Sequence, residues 1–103
     1  MSILEIQEGL LYQTSDEQLA YSITTTNWVS TPTSPAVVAY DINTGAVVTT
    51  TVFPDGQPSA PSGDVITLTL LKSLTKGHTY RIEVKFTVGS NVYECFFKVK
   101  CEL

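Results

Sequence analysis

The chain has 103 residues, of which 43% are apolar, and its formal net charge is −4. This length fits one domain with a single core, and the apolar content excludes a disordered tail. No run approaches the roughly 20 apolar residues that cross a bilayer, so no membrane partner is expected. The N-terminus lacks a basic segment followed by a long apolar one, so no signal peptide is expected either.

The charges are distributed unevenly along the chain. Residues 1–71 hold seven acids and no base, whereas residues 72–103 hold six bases and three acids. Because acids interrupt the bases, they do not form the concentrated basic face that nucleic-acid binding requires. Solvated faces of the last two strands account for the bases. A bipolar surface that pairs head to tail with a neighbour is the alternative.

Period-two alternation of apolar and polar residues dominates the first half and predicts β-strands. A proline-rich loop at residues 31–35 and a turn at Asn43-Thr44-Gly45 separate them, since proline cannot donate to a ladder and glycine permits positive φ. We divide the chain into an N-terminal strand or arm, residues 1–15, and a β-domain, residues 16–103. The predicted strands of this half are residues 2–13, 19–25, 36–42 and 46–53.

The second half begins with an irregular loop at residues 54–63, which holds three prolines and two glycines. Strands are predicted over residues 64–71, 79–88 and 92–101, with a tight hairpin at Gly89-Ser90-Asn91. Alternation points one set of side chains in each strand towards the core. In the first of these strands, Ile66, Leu68 and Leu70 are predicted to share one face. The predicted inward residues of the other two are Tyr80, Ile82, Val84 and Phe86, then Tyr93, Cys95, Phe97, Val99 and Cys101.

The segment that joins the predicted strands 64–71 and 79–88 has the layout of a tyrosine corner. Leu74 precedes Gly77, and Tyr80 follows Gly77 by three residues. In immunoglobulin-like and fibronectin-type sandwiches the hydroxyl of such a tyrosine bonds to a backbone group a few residues upstream. Together with turn signals every eight to twelve residues, this predicts an all-β, immunoglobulin- or fibronectin-like antiparallel sandwich of about seven strands.

The residues with reactive side chains predict no catalytic, cofactor or metal site. His78 sits in the corner turn and is interpreted as a solvent-exposed loop residue. The acidic turns at Asp55-Gly56 and at residues 62–64 lack the spacing of a calcium loop. Cys95 and Cys101 are about 20 Å apart if both lie on one strand, which is too far for a disulfide. Two reduced, buried thiols are expected.

Contacts with other proteins are the remaining kind of site. Phe96 is predicted to point away from the core, where it is either an ordinary exposed side chain or an anchor for a subunit contact. The apolar N-terminal segment is either the first core strand or an arm on a neighbour's sheet edge. The candidate contact residues are Leu4, Ile6, Tyr12 and Phe96.

A family resemblance rests on the order of several short motifs: Leu19-Ala20-Tyr21-Ser22-Ile23, Trp28, a Thr-rich hairpin, Asp64-Val65-Ile66-Thr67-Leu68 and the corner. In this order, over residues 16–101, the chain resembles the immunoglobulin-like fiber-tail adaptor proteins of tailed phages and prophages. It departs from them in its N-terminal arm and its two cysteines.

The resemblance implies a non-catalytic structural protein of a phage or prophage tail or fiber. It implies other tail or fiber proteins as partners, with a homo-oligomer as a further option. The protein would be cytoplasmic during assembly and then part of the particle. The alternative from the residues is an adhesion or carbohydrate-binding sandwich that stacks sugars on Trp28, Tyr40 or Tyr93, although Trp28 is more typical of a core position.

Overall fold

The computed structural model describes residues 3–25 and 31–102. Trp28 lies outside the described residues. The described part contains six strands and one short helix. They are β1 (Ile3–Gln13), β2 (Ser22–Thr24), β3 (Thr33–Asp41), α1 (Thr49–Val52), β4 (Val65–Thr67), β5 (Thr79–Val88) and β6 (Asn91–Cys101).

The strands form a four-stranded sheet in the order β1-β6-β5-β3 and a two-stranded sheet of β2 and β4. Buried residues from both sheets join one core, so the predicted all-β class is confirmed. The prediction of a purely antiparallel fold was wrong, because β1 runs parallel to β6. Parallel neighbours need a long crossover, and here the whole chain between the first and last strands provides it.

The hairpin of β5 and β6 contributes nearly half of the buried apolar residues of the core. Strand β5 has the predicted bounds, and its inward residues from Tyr80 to Phe86 are at most 2% exposed. On β6, Cys95, Phe97, Val99 and Cys101 are at most 3% exposed. Tyr93 is half-buried and stacks on Phe86, with ring centroids 6.0 Å apart. Alternation therefore identified this part of the core correctly.

The predicted strand at residues 46–53 is not formed. Only Val47 bridges to β3, and the chain then enters α1, where Val52 and Phe53 donate to the carbonyls of Val48 and Thr49. Val52 and Phe53 are consecutive and both buried. A strand would place them on opposite faces, so a helical turn is the way to bury both.

The predicted strand at residues 64–71 is shortened to β4. The main chain pairs Leu68 with Tyr21 at first, but Leu71 then pairs with Leu19, which adds one residue on this side. This bulge reverses the alternation, so Leu71 is fully buried and Leu70 is only half-buried. The prediction that Leu70 shares a face with Ile66 and Leu68 was therefore wrong. The same irregular pairing limits the strand predicted at residues 19–25 to β2.

Strand β3 is one edge of the large sheet and begins earlier than predicted, inside the proline-rich loop. A register shift falls between Thr33 and Ala36, around Pro35. Proline is tolerated there because an edge strand at a bulge does not need every donor.

The outer edge of β3 is closed by hydrogen bonds. The side-chain amide of Gln57 accepts from the Val37 N–H at 2.6 Å and donates to its carbonyl at 3.1 Å. The Ala39 N–H donates to Thr49 Oγ1, and the Ala39 carbonyl accepts from the Val48 N–H. Asp41 pairs with the turn that follows it. The edge-facing groups of these three residues are therefore occupied, which blocks addition of another strand.

Candidate functional site

The corner segment, residues 74–80, has the expected internal contact. The Thr75 N–H donates to the Tyr80 hydroxyl at 2.7 Å, five residues upstream of the tyrosine. Leu74 is buried, and Gly77 has φ +85 while its N–H donates to the Cys101 carbonyl at 2.8 Å. Glycine adopts that backbone conformation without strain. The segment is thereby tied to the start of β5 and the end of β6.

The large sheet has one face on the core, and its other face, which we call the outer face, carries aromatic and basic side chains. The register aligns Tyr40 with Arg81 and Lys98, and places Tyr12 beside Lys100. Four of the six bases of the chain lie on it. Its aromatic and basic members are Tyr12, Tyr40, Arg81, Lys85, Phe96, Lys98 and Lys100.

Arg81 organises the middle of the outer face. Its guanidinium carbon lies 4.1 Å from the centroid of the Phe96 ring, a cation–π contact. Its Nε lies 2.8 Å from Glu83 Oε2, but this buried N–H does not point at the carboxylate, so the contact is ionic and not a hydrogen bond. Phe96 is consequently covered on one side, and Arg81 is held in a fixed position.

A shallow open groove of about 250 Å³ crosses the outer face between β3 and β6. Apolar side chains, Ala36 and Val38, line one side together with Tyr40. Lys85 and Glu94 line the other, with Nζ and Oε1 3.6 Å apart. Lys98 and Lys100 form no ion pair with any side chain that the structure describes. These two cations are the part of the face available to an acidic partner.

The four candidate contact residues do not share one environment in the structure. Tyr12 is 57% exposed on the outer face, and Phe96 is half-buried beneath Arg81. Leu4 and Ile6 lie in β1, and the backbone of Leu4 pairs with that of Cys95. The side chains of Leu4 and Ile6 lie outside the described part of the structure. Tyr12 and Phe96 therefore share one face. Tyr40 and Tyr93 lie on opposite faces of the sheet, so they do not form a single stacking platform.

His78 lies in the loop before β5, as predicted, but it is only partly exposed because its side chain is paired. Its Nδ1 lies 2.7 Å from Oδ2 of Asp41, which is buried at the end of β3. The other carboxylate oxygen of Asp41 accepts from the Asn43 N–H, and Asn43 Oδ1 accepts from the Thr79 N–H. The cluster joins the turn after β3 to the corner.

Gln13 is a buried polar residue that no sequence pattern singled out. It is 1% exposed, and its amide nitrogen donates to the Leu71 carbonyl at 2.7 Å and the Glu17 carbonyl at 3.0 Å. Its amide oxygen accepts from the Tyr21 hydroxyl at 2.9 Å. Burial, and secondarily the charge of Glu17, raises the pKa of Tyr21. Gln13 therefore connects the end of β1 to the smaller sheet.

Both cysteines are buried thiols and no disulfide joins them, as expected. Burial raises the pKa of Cys95 from its ordinary value of 9.0 to about 12. Among the residues that the structure describes, no three His, Cys, Asp or Glu side chains come together as metal ligands.

The raised pKa predicts a loss of stability at high pH. The unfolded thiol ionises near pH 9 and the folded one near pH 12, so the contribution of Cys95 is present below pH 9 and lost as pH rises between these values. Denaturant melts across this range should show falling stability, and Cys95→Ala should fall less steeply. A parallel decline in both proteins would contradict the assignment to Cys95.

Comparisons with known protein families, with characterised proteins and with solved structures find no match for this chain. Within the described ranges, no helix has the length and apolar character that crossing a membrane requires.

Proposed function

We propose that this chain is a non-catalytic, immunoglobulin-like assembly protein of a phage or prophage tail or fiber, and that it works through protein–protein contacts. The observation that carries the contact function is the outer face, where exposed Tyr12, the Arg81–Phe96 pair, Lys98 and Lys100 lie together. The assignment to a phage tail is supported by the motif order given above.

The strand order supports the immunoglobulin-like part of the proposal. If β2 and β4 correspond to strands B and E, then β3, β5 and β6 correspond to C, F and G, which are neighbours in the order C-F-G in such folds. The corner tyrosine then lies near the start of strand F, as in that family. The first strand lies beside G in this arrangement.

The composition of the outer face supports a protein partner. Aromatic residues and arginine are enriched where partners bind, and desolvated aromatic anchors supply much of the binding energy. Arg81 is already fixed on Phe96, so less side-chain entropy is lost when a partner covers the pair. Lys98 and Lys100 favour a partner with acidic residues, since complementary charge accelerates encounter and fixes orientation.

Genetic complementation tests the proposal. The gene would be deleted from the source phage or prophage, and tail and fiber assembly would be examined by electron microscopy. We expect fiber-deficient particles that the unmodified gene rescues. The double variant Lys98→Glu/Lys100→Glu should reduce incorporation of the protein about tenfold or more, as loss of a binding hot spot does.

The matched control is Lys72→Glu/Lys76→Glu, which makes the same charge change away from the outer face. It also removes the Lys72–Asp55 ion pair, a partly exposed contact that contributes little to stability. Incorporation of this control should stay close to that of the unmodified protein. Complete particles without the gene, or equal losses in both double variants, would contradict the proposal. Binding of the isolated chain to an array of glycans would instead favour the adhesion function.

A further inference from the structure

The two edges of the large sheet differ in their hydrogen bonding. The edge of β3 is occupied by Gln57, Thr49 and the turn after Asp41. The other edge belongs to β1, and no strand in the described part of the chain pairs with its outer side. The edges of β2 and β4 are only three residues long. The sheet therefore has one closed edge and one open edge.

The direction of the open groups on β1 follows from one hydrogen bond. The Gln13 carbonyl accepts from the Glu102 N–H at 3.1 Å, so the backbone of Gln13 points towards β6. Because these directions alternate along a strand, Leu11 also points towards β6, whereas the N–H and carbonyl groups of Leu10 and Tyr12 point away from it. The ladder with β6 is continuous over Leu10–Gln13 and shifts register between Glu5 and Leu10. The open ladder is thus short and centred on Leu11.

We propose that two copies of this chain pair through this edge, with antiparallel β1 strands and a two-fold axis at Leu11. Leu10 of each copy would lie opposite Tyr12 of the other. Two residues that face each other in a hydrogen-bonded antiparallel pair exchange two hydrogen bonds. The Leu10–Tyr12 pair occurs twice in the dimer, so it gives four main-chain hydrogen bonds. The pattern is self-complementary, which is the requirement for an isologous dimer.

The closed edge selects this arrangement among the ways in which copies can add strands. Joining β1 of one copy to β3 of the next would produce an open chain of subunits, but the β3 groups are already bonded. Pairing β1 with β1 uses the open edge of both copies at once and leaves the large sheets with only the closed β3 edges. The assembly therefore stops at two.

Salt dependence follows from the charge of the chain. Each copy carries a formal charge of −4, so two copies repel each other at long range. Salt screens this repulsion, whereas main-chain hydrogen bonds are little affected. Dimerisation should therefore strengthen as ionic strength increases.

Sedimentation equilibrium of the full chain over a range of protein concentrations tests the inference. Hydrogen exchange measured at the lowest and the highest of these concentrations accompanies it. We expect a shift from 11.2 kDa to twice that mass, with increased protection of the Leu10 and Tyr12 amides. Tyr12→Pro removes an edge-facing N–H but no bond to β6, so it should weaken dimerisation at least tenfold. Tyr12→Ala, which keeps the N–H, is the control for loss of the side chain.

A chain that stays monomeric, or that forms assemblies larger than two, would overturn the inference. A dimer that Tyr12→Pro leaves unchanged would overturn it too. Should Tyr12→Pro fail to fold, protection of the two amides in the unmodified chain decides the question. The inference deepens the proposed contact function by naming a partner, but it needs no tail protein. A monomer that still enters particles would refute only the dimer.

Discussion

Replacing Gln13 by alanine is expected to lower the free energy of unfolding by about 2–4 kcal/mol, because each buried group left without a partner costs roughly 1–3 kcal/mol. The substitution removes partners from the carbonyls of Leu71 and Glu17 and from the Tyr21 hydroxyl. The Leu71 carbonyl keeps the Leu19 N–H as a second donor, so the penalty falls mainly on the Glu17 carbonyl and the Tyr21 hydroxyl. The connection between β1 and the smaller sheet should weaken as a result.

Urea denaturation of Gln13→Ala beside Gln18→Ala measures this effect. Gln18 is an exposed glutamine five residues away that makes no hydrogen bond with the described residues, so its substitution should change stability by less than about 0.5 kcal/mol. Similar losses in the two variants would mean that the buried amide network contributes little.

Replacing Tyr80 by phenylalanine is expected to cost roughly 1–3 kcal/mol, the penalty of leaving a partly buried donor unpaired. The variant keeps the ring, which is 2% exposed, and removes only the acceptor for the Thr75 N–H. Because the packing is preserved, the loss reports the corner hydrogen bond itself. Local opening of residues 74–78 should also speed exchange of the Thr75 amide.

Tyr40→Phe provides the matched control, since Tyr40 lies half-exposed on the outer face and makes no side-chain hydrogen bond in the described part of the chain. Thermal or urea melts of the two variants should differ by most of the predicted loss. If Tyr80→Phe is as stable as the unmodified protein, the corner does not stabilise this fold.

The sequence predicted the hairpin of β5 and β6 well, because each inward residue there has an outward neighbour of opposite polarity. Arg81, Glu83 and Lys85 separate Tyr80, Ile82, Val84 and Phe86 so cleanly that only one register buries the apolar set. A two-residue turn at Gly89-Ser90 then fixes the partner strand.

Local patterns failed where distant contacts decide the backbone. The segment at residues 46–53 has the composition of a strand, yet the consecutive burial of Val52 and Phe53 requires a helical turn. The bulge before Leu71 depends on pairing with Leu19, 52 residues earlier by sequence number. Neither the helical turn nor the bulge can be recognised from the alternation of neighbouring residues.

The candidate site shows the same division. Alternation placed Phe96 outward. The register between β5 and β6 then brings the Arg81 guanidinium over its ring, and alternation alone does not reveal this contact. The pairing of His78 with Asp41 and the buried amide of Gln13 are likewise set by contacts between residues far apart in sequence. A buried polar residue can only be recognised once its partners are known.

Lysine footprinting of assembled particles tests the central claim, contact through the outer face, most directly. Lys85, Lys98 and Lys100 lie on this face, whereas exposed Lys76 lies in the corner segment and serves as the internal reference. Acetylation of free protein and of purified particles would be compared by mass spectrometry. We expect protection of Lys98 and Lys100 in the particle with Lys76 unchanged. Protection of Lys76 alone would contradict the account. So would a result in which each lysine reacts to the same extent in the free protein and in the particle.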